Sequence, residues 1–338
     1  MANLPLIDAA ALLASDAYKR RDWSTQVAIL EAACRGPGFF YLANYGVSRD
    51  QERTLFELTQ RFFALPLEAK LKIENTRSPH FRGYTRVGQE RRENAPDWRE
   101  QLYIGPEKPA AARDPGAPLY LRLRGPNQWP DELPELAPAL SAWITALDRV
   151  AIALTRALAV ALGQRPDAFD STFLPEPDTH AKIIRYPGTH GSMEQGVGAH
   201  KDYGFLSLVL QDSRGGLEVD DLQGGFIEAI PIPGTLVANL GEMFEVATAG
   251  YFRATVHRVR SPRAPAQRYS LAHFFNPRLE AVLGELPLPA ELLARRPPAS
   301  AAPDNPIYNE FGRGALRGWL KSHPEIARRH YPELTPRS

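Results

Sequence analysis

Gly198-Ala199-His200-Lys201-Asp202-Tyr203 opens the stretch whose reading decides the fold, and Thr255-Val256-His257-Arg258-Val259 and Arg268-Tyr269-Ser270-Leu271-Ala272 continue it. His200 and Asp202 are two residues apart, so on an extended strand both side chains leave the same face. His257 follows Asp202 after 55 residues, room for four or five short strands, and can join the pair from another strand of the same sheet. Arg268 and Ser270 repeat the two-residue spacing on what reads as the next strand. A guanidinium beside a hydroxyl forms a fork that holds a carboxylate by charge-assisted hydrogen bonds.

Two imidazoles and a carboxylate on one face of an octahedron suit a non-haem Fe(II) site, because the opposite positions stay open for a cosubstrate and O₂. His-x-Asp alone carries little information and is by default a solvated strand face. Its spacing to His257 and to the Arg-x-Ser pair makes the iron reading the specific one.

The remainder of the second half supports a β-rich core. Lys182–Tyr186, Phe205–Leu210, Leu217–Val219, Phe226–Ile230, Leu236–Leu240, Thr255–Val259 and Tyr269–Phe275 read as strands separated by glycine and proline turns. That number of short strands predicts a double-sheet jelly roll with the metal in its mouth. The first half is mainly helical. A strand is expected at Leu4–Asp8 and a helix at Trp23–Arg35, stopped by Gly36-Pro37-Gly38. Phe39–Ala43 reads as a buried strand, and a helix capped by Asp50 carries Leu55, Leu58 and Phe62 inward. Arg82 to Glu100 is dense in both signs of charge and reads as a solvated loop, and Pro106–Pro130 as an irregular surface connection. Leu136, Leu140, Trp143, Leu147, Val150, Leu154 and Leu158 recur near 3.6 and mark the longest helix, with Gly163 just past its end. No linker or repeat divides the chain, so one oxygenase domain over 1–338 is expected: a helical region 1–165, a catalytic core 178–280 and a C-terminal region 281–338.

Composition narrows the partners. Forty basic against 39 acidic residues give a net charge of +1, which offers no field for nucleic acid or an anionic membrane. Small molecules are the expected partners. The single Cys34 excludes an internal disulfide and fits a reducing compartment. No apolar run approaches 18 residues and no signal-peptide pattern opens the chain, so a cytoplasmic protein is expected.

With these residues in view, the chain resembles the isopenicillin N synthase-like branch of the iron(II)/2-oxoglutarate-dependent dioxygenases. Gly38-Phe39-Phe40-Tyr41 through Asn44-Tyr45-Gly46-Val47, Gly215-Gly216-Leu217-Glu218-Val219, Pro233-Gly234-Thr235 and Asn239-Leu240-Gly241-Glu242 carry the likeness over nearly the whole length. The run Gly196–Gly204 is most similar to bacterial ethylene-forming enzyme-like members. The resemblance implies an α+β fold whose core is a double-stranded β-helix, or distorted jelly roll, with the helical N-terminal half packed outside. It implies Fe(II) on His200, Asp202 and His257, and 2-oxoglutarate on Arg268 and Ser270, with Tyr186 a further candidate. Lys182 and Phe275 are candidates for contact with substrate or cosubstrate. The implied activity is oxidation of a small molecule (hydroxylation, desaturation or ring closure) with 2-oxoglutarate and O₂. Ile184-Arg185-Tyr186-Pro187 is closer to isopenicillin N synthase itself and to bacterial ethylene-forming enzymes; the former uses no 2-oxoglutarate, so an oxidase of that type stays open, as does a non-catalytic metal- or ligand-binding jelly roll.

Overall fold

The apolar period changes from about 3.6 to two between residues 162 and 180, and the backbone changes with it. A computed structural model describes residues 4–14, 21–92, 95–111, 114, 116–190, 195–297 and 309–334. Its first half contains β1 (Leu6–Asp8), α1 (Ala9–Leu13), α2 (Arg21–Arg35), β2 (Phe39–Ala43), α3 (Arg49–Ala64) and α4 (Leu67–Lys72). These are followed by β3 (Gly83–Thr85), β4 (Arg91–Arg92), β5 (Ala95–Pro96), β6 (Glu100–Ile104), α5 (Leu136–Ala161) and α6 (Asp170–Phe173). The second half contains β7 (His180–Tyr186), β8 (Gln195–His200), β9 (Leu206–Gln211), β10 (Leu217–Asp220), β11 (Phe226–Glu228) and β12 (Thr235–Leu240). After α7 (Glu242–Ala247) come β13 (His257–Arg260), β14 (Arg268–Phe275), α8 (Ala290–Ala294), α9 (Phe311–Ser322) and α10 (Pro324–His330).

Two sheets form the jelly roll. The larger has the order β1-β2-β12-β9-β14-β7-β6-β3 and the smaller β11-β10-β13-β8. Their facing sides share an apolar cluster in which Ile184, Val237 and Ala272 of the large sheet meet Val197, Leu217 and Val259 of the small one. The outer side of the large sheet is covered by α2, α3 and α5, and Leu154 of α5 and Leu271 of β14 lie in one continuous cluster. Strand parity explains the double burial: in β14, Arg268, Ser270, Ala272 and Phe274 face the interior cavity while Leu271 and Phe275 pack toward the helices.

Local signals set the helix ends. α3 starts on a reciprocal capping box between Ser48 and Gln51, so Ser48 is the cap and Asp50 sits inside the first turn. α5 ends as its sequence predicts: Gly163 takes φ +70°, its N–H donates to Val160 O, and the Gln164 N–H reaches back to Ala159 O.

Three expectations are corrected. The charged segment 82–100 is not a solvated loop, since Arg82, Glu90, Asp97, Arg99 and Glu100 are buried. Opposite charges there satisfy one another: Arg99 pairs with Glu90 at 2.7 Å and with Asp97 at 3.2 Å, and Glu100 takes Lys70 at 3.1 Å and Arg185 at 2.7 Å. Balanced composition fits a buried network as well as a wet surface; Glu93 of that run lies outside the described residues. The 106–130 connection is not irregular throughout, because Leu119–Leu123 forms a 3-10 turn that buries Tyr120 and Leu123 against Phe311 and Leu279. His200 and Asp202 do not share a strand, since β8 ends at His200 and Asp202 lies in the loop beyond.

Candidate active site

β8 and β13 are hydrogen-bonded neighbours with His200 directly opposite His257, which places the two imidazole rings 4.2 Å apart by centroid. The loop after β8 brings Asp202 to the same spot. One ligand atom of each residue lies within 4.8 Å of the other two. His200 Nδ1 lies 2.8 Å from Gly198 O and His257 Nδ1 3.2 Å from Thr255 O. A carbonyl only accepts, so Nδ1 carries the hydrogen in both rings and the Nε2 lone pairs are left for an ion. Both Nε2 atoms face Asp202 Oδ1, at 3.6 and 3.8 Å, beyond hydrogen-bond range. Asp202 Oδ2 is occupied separately by Ser207 Oγ at 2.6 Å and Asn239 Nδ2 at 2.9 Å. Burial would raise the Asp202 carboxyl, but His257, His200 and the Asn239 amide outweigh it and hold it well below the usual carboxylate range. A carboxylate and two imidazoles, each oriented by its other polar atom, are a donor set that fits a divalent iron.

A cavity of about 520 Å³ opens beside this cluster. Arg268, 1% exposed, stands on its wall. Its Nε donates to Gly215 O at 2.6 Å and its Nη2 to Gln211 Oε1 at 3.1 Å, while buried Nη1 has no hydrogen-bond partner among the described residues. The guanidinium lies 4.9 Å over the Tyr186 ring. Ser270 lines the same wall, and the β14–β7 register sets Arg268 opposite Tyr186 and Ser270 opposite Ile184. An orphaned buried guanidinium nitrogen calls for an anion, and a carboxylate bound through the fork supplies one.

The weaker candidates separate. Lys182 lines the cavity, 3.4 Å from Glu90 and 5.3 Å over the Trp319 ring. Phe275 does not: it is fully buried and stacks on Phe173 at 4.6 Å. Phe274 faces the cavity in its place, as the parity of β14 requires once Arg268 is assigned inward. Sequence reasoning missed Ser207, Asn239 and Gln211, which orient Asp202 and Arg268. The signal was available in β9, where Ser207 and Gln211 put polar groups at inward positions of a buried strand. Trp319 and its neighbours on α9, which close one side of the cavity, have no such signature.

Two family models match the chain: residues 4–132 match the non-haem dioxygenase in morphine synthesis N-terminal model, and residues 176–277 the 2OG-Fe(II) oxygenase superfamily model. Homoarginine-6-hydroxylase 2-ODD-C23.1 of Arabidopsis thaliana is 35% identical, with 84% of this chain and 87% of that protein covered. The 2-oxoglutarate-dependent dioxygenase frbJ of Dothideomycetidae sp. is 34% identical, with 88% and 85% covered. Among solved structures, a full-length Neurospora crassa protein in complex with alpha-KG and thymine superposes with a TM-score of 0.73 at 28% identity, covering 93% of this chain and 97% of that one. The matches span both halves of the chain and the cavity carries the donors the chemistry needs; the protein belongs to the 2OG-Fe(II) oxygenase superfamily, in its isopenicillin N synthase-like branch, and is a non-haem iron(II)- and 2-oxoglutarate-dependent dioxygenase acting on a small molecule.

Proposed function

We propose that His200, Asp202 and His257 hold the iron(II) and that Arg268, with Ser270 and Tyr186, receives the distal carboxylate of 2-oxoglutarate. Bound there, iron(II) with 2-oxoglutarate and O₂ supplies the oxidation, in which cosubstrate is converted to succinate and CO₂ as substrate is oxidised. The chain itself supplies geometry. Backbone carbonyls fix both imidazole tautomers, Ser207 and Asn239 aim Asp202, and Gly215 and Gln211 hold the guanidinium so that Nη1 points to a partner from outside the chain. The observation that carries the Arg268 role is that orphaned Nη1 on a wall shared with the His/Asp cluster. Lys182 contacts the substrate side of the cavity while paired with Glu90.

The whole chain acts as one oxygenase domain, a reading supported by the cluster that joins α5 to β14. Among the described residues no helix is long and apolar enough to cross a membrane. A cytoplasmic location is supported by the lone Cys34, buried and unpaired, whose thiol is pushed up by burial. The names of the relatives support a small polar substrate. Anaerobic titration of the Fe(II) protein with 2-oxoglutarate, followed by succinate formation in air, tests the reading. His257→Ala is expected to lose stoichiometric iron, and a His257→Ala protein that keeps iron and activity would overturn the ligand assignment. Iron-dependent O₂ uptake without succinate would instead indicate the oxidase that needs no 2-oxoglutarate.

A further inference from the structure

Granted the metal reading of His200, Asp202 and His257, on which this inference rests, whatever holds β8 also holds a ligand. β8 ends the small sheet and pairs there with β13. That pairing is uneven. His200 lies opposite His257, but the next partners are Val197 with Val259 and then Gln195 with Arg260, so the register shifts twice within the six residues of β8. Gly198 and Ala199 fall in the first shift, where the ladder is locally disrupted. Gly198 matters to the site because its carbonyl oxygen takes the His200 Nδ1 hydrogen at 2.8 Å. Glycine has the freest backbone of any residue, so neither the ladder nor Gly198 itself accounts for a carbonyl aimed at the ring.

The outer edge of β8 is covered by the loop that leads into β6. Trp98 N–H donates to Gln195 O at 3.1 Å, and Gly198 N–H donates to Asp97 Oδ1 at 3.3 Å. Asp97 is 0% exposed, and its own backbone is tied on both sides: Gly88 N–H donates to Asp97 O and Asp97 N–H to Glu90 O, each at 3.0 Å. Asp97 Oδ2 is paired with Arg99 at 3.2 Å. Arg99 in turn donates to Glu90 at 2.7 Å, and Glu90 also accepts from Gln101 at 2.8 Å. A buried carboxylate is costly unless its oxygens are answered. Here one oxygen answers Arg99 and the other the backbone of the strand that carries His200, so this buried charge network ends on a histidine ligand.

We infer that Asp97 is a positioning residue for the metal centre: it holds Gly198, whose carbonyl orients the His200 imidazole with Nε2 toward the ion. Because it acts through an intervening residue, its loss should cost less than the roughly 10–100-fold in metal affinity typical of a group bonded directly to a ligand. The test uses the full-length protein and reads Fe(II) affinity by anaerobic competition with a chromogenic chelator, with the visible bands of bound Co(II) as a second reading of the ligand set. Asp97→Ala is expected to raise the Fe(II) dissociation constant by about three- to tenfold and to weaken or shift the Co(II) bands. Asp97→Asn, which keeps an oxygen in place without its charge, should fall between Asp97→Ala and the parent. Glu100→Gln is the control for a merely structural loss, since it removes a comparably buried charge whose partners are Lys70, Tyr84 and Arg185. It should lower the denaturation midpoint and leave the Fe(II) constant within about twofold of the parent. A constant unchanged to that degree in both Asp97 variants, or an equal loss of affinity in Glu100→Gln, overturns the inference. Should Asp97→Ala fail to fold, Asp97→Asn carries the comparison, and the parent supplies a reading that needs no variant. Its Gly198 amide, resolved by selective glycine labelling, should exchange slowly in the metal-free protein; exchange at the rate of an open strand edge also overturns the inference. Failure of the metal reading itself looks different: the parent would then bind neither Fe(II) nor Co(II), and His257→Ala would change nothing.

Discussion

Arg268 carries the clearest single-residue consequence. Its Nε and Nη2 are held by Gly215 and Gln211, so under the proposed role removing the side chain would remove a pre-aimed donor and leave the cosubstrate carboxylate without its charge partner. Arg268→Ala should weaken 2-oxoglutarate binding by at least tenfold, in keeping with about 2–5 kcal/mol for a broken buried charge pair. Arg268→Lys should recover only part, because an ammonium cannot hold Gly215, Gln211 and a carboxylate in one plane. Anaerobic titration measures both, and iron content should stay unchanged in each. The inward direction of Arg268 and Ser270 was legible in the sequence because a two-residue spacing on a strand is a statement about direction. Phe275 was misassigned by the same rule left unapplied: it differs from Arg268 by an odd number of positions and therefore faces the helices. Glu90, Arg99 and Asp97 were illegible for another reason, since charge composition does not say whether opposite charges meet each other or water.

At the scale of elements, α9 and α10 form a seat that the sequence did not announce. Phe81, Tyr103, Tyr120 and Phe311 build a small aromatic core under them, and none of these residues is periodic enough to reveal its partner in advance. At Gly312 a Cβ would lie 2.5 Å from the Tyr120 ring and 2.6 Å from the carbonyl oxygen of Leu279. Backbone cannot retreat as a side chain does, so Gly312→Ala should destabilise the protein by about 1–3 kcal/mol by overpacking, read as a lower denaturation midpoint. His323 closes the same seat, 5% exposed between the Phe81 and Trp319 rings. Burial lowers its pKa to about 4, so folding keeps it neutral while the unfolded chain protonates near 6.5. The stability it contributes is complete above about pH 6.5 and is lost as pH falls from there toward 4, by up to about 3 kcal/mol. Chemical denaturation across that window should show a shallower fall in His323→Gln than in the parent.

For the whole molecule, most strands of the second half and the long helix were legible because both rest on period, whereas β3 and β6, which extend the large sheet, and the division of labour between the sheets were not. Iron-binding histidines are proposed on the small sheet and the cosubstrate arginine on the large one, and only register connects them. Because α5 and β14 share one apolar cluster, the metal-free protein should unfold in a single transition by circular dichroism and tryptophan fluorescence alike. Leu154→Ala, fully buried in that cluster, should lower the midpoint of both probes together, at a cost of about 2–5 kcal/mol. Two separated transitions would contradict a single domain. The two-sidedness of β14 has a bearing on how such a protein can change its chemistry over generations. Each residue of that strand faces either the cavity or the helix layer, and a shift of its backbone for one purpose disturbs the other. The α9 face meets the cavity from one side and turns its exposed residues to solvent, so new substrates are most accessible by rewriting α9 while the strand stays fixed, a division that a saturation library over Arg317, Trp319 and Lys321 would expose.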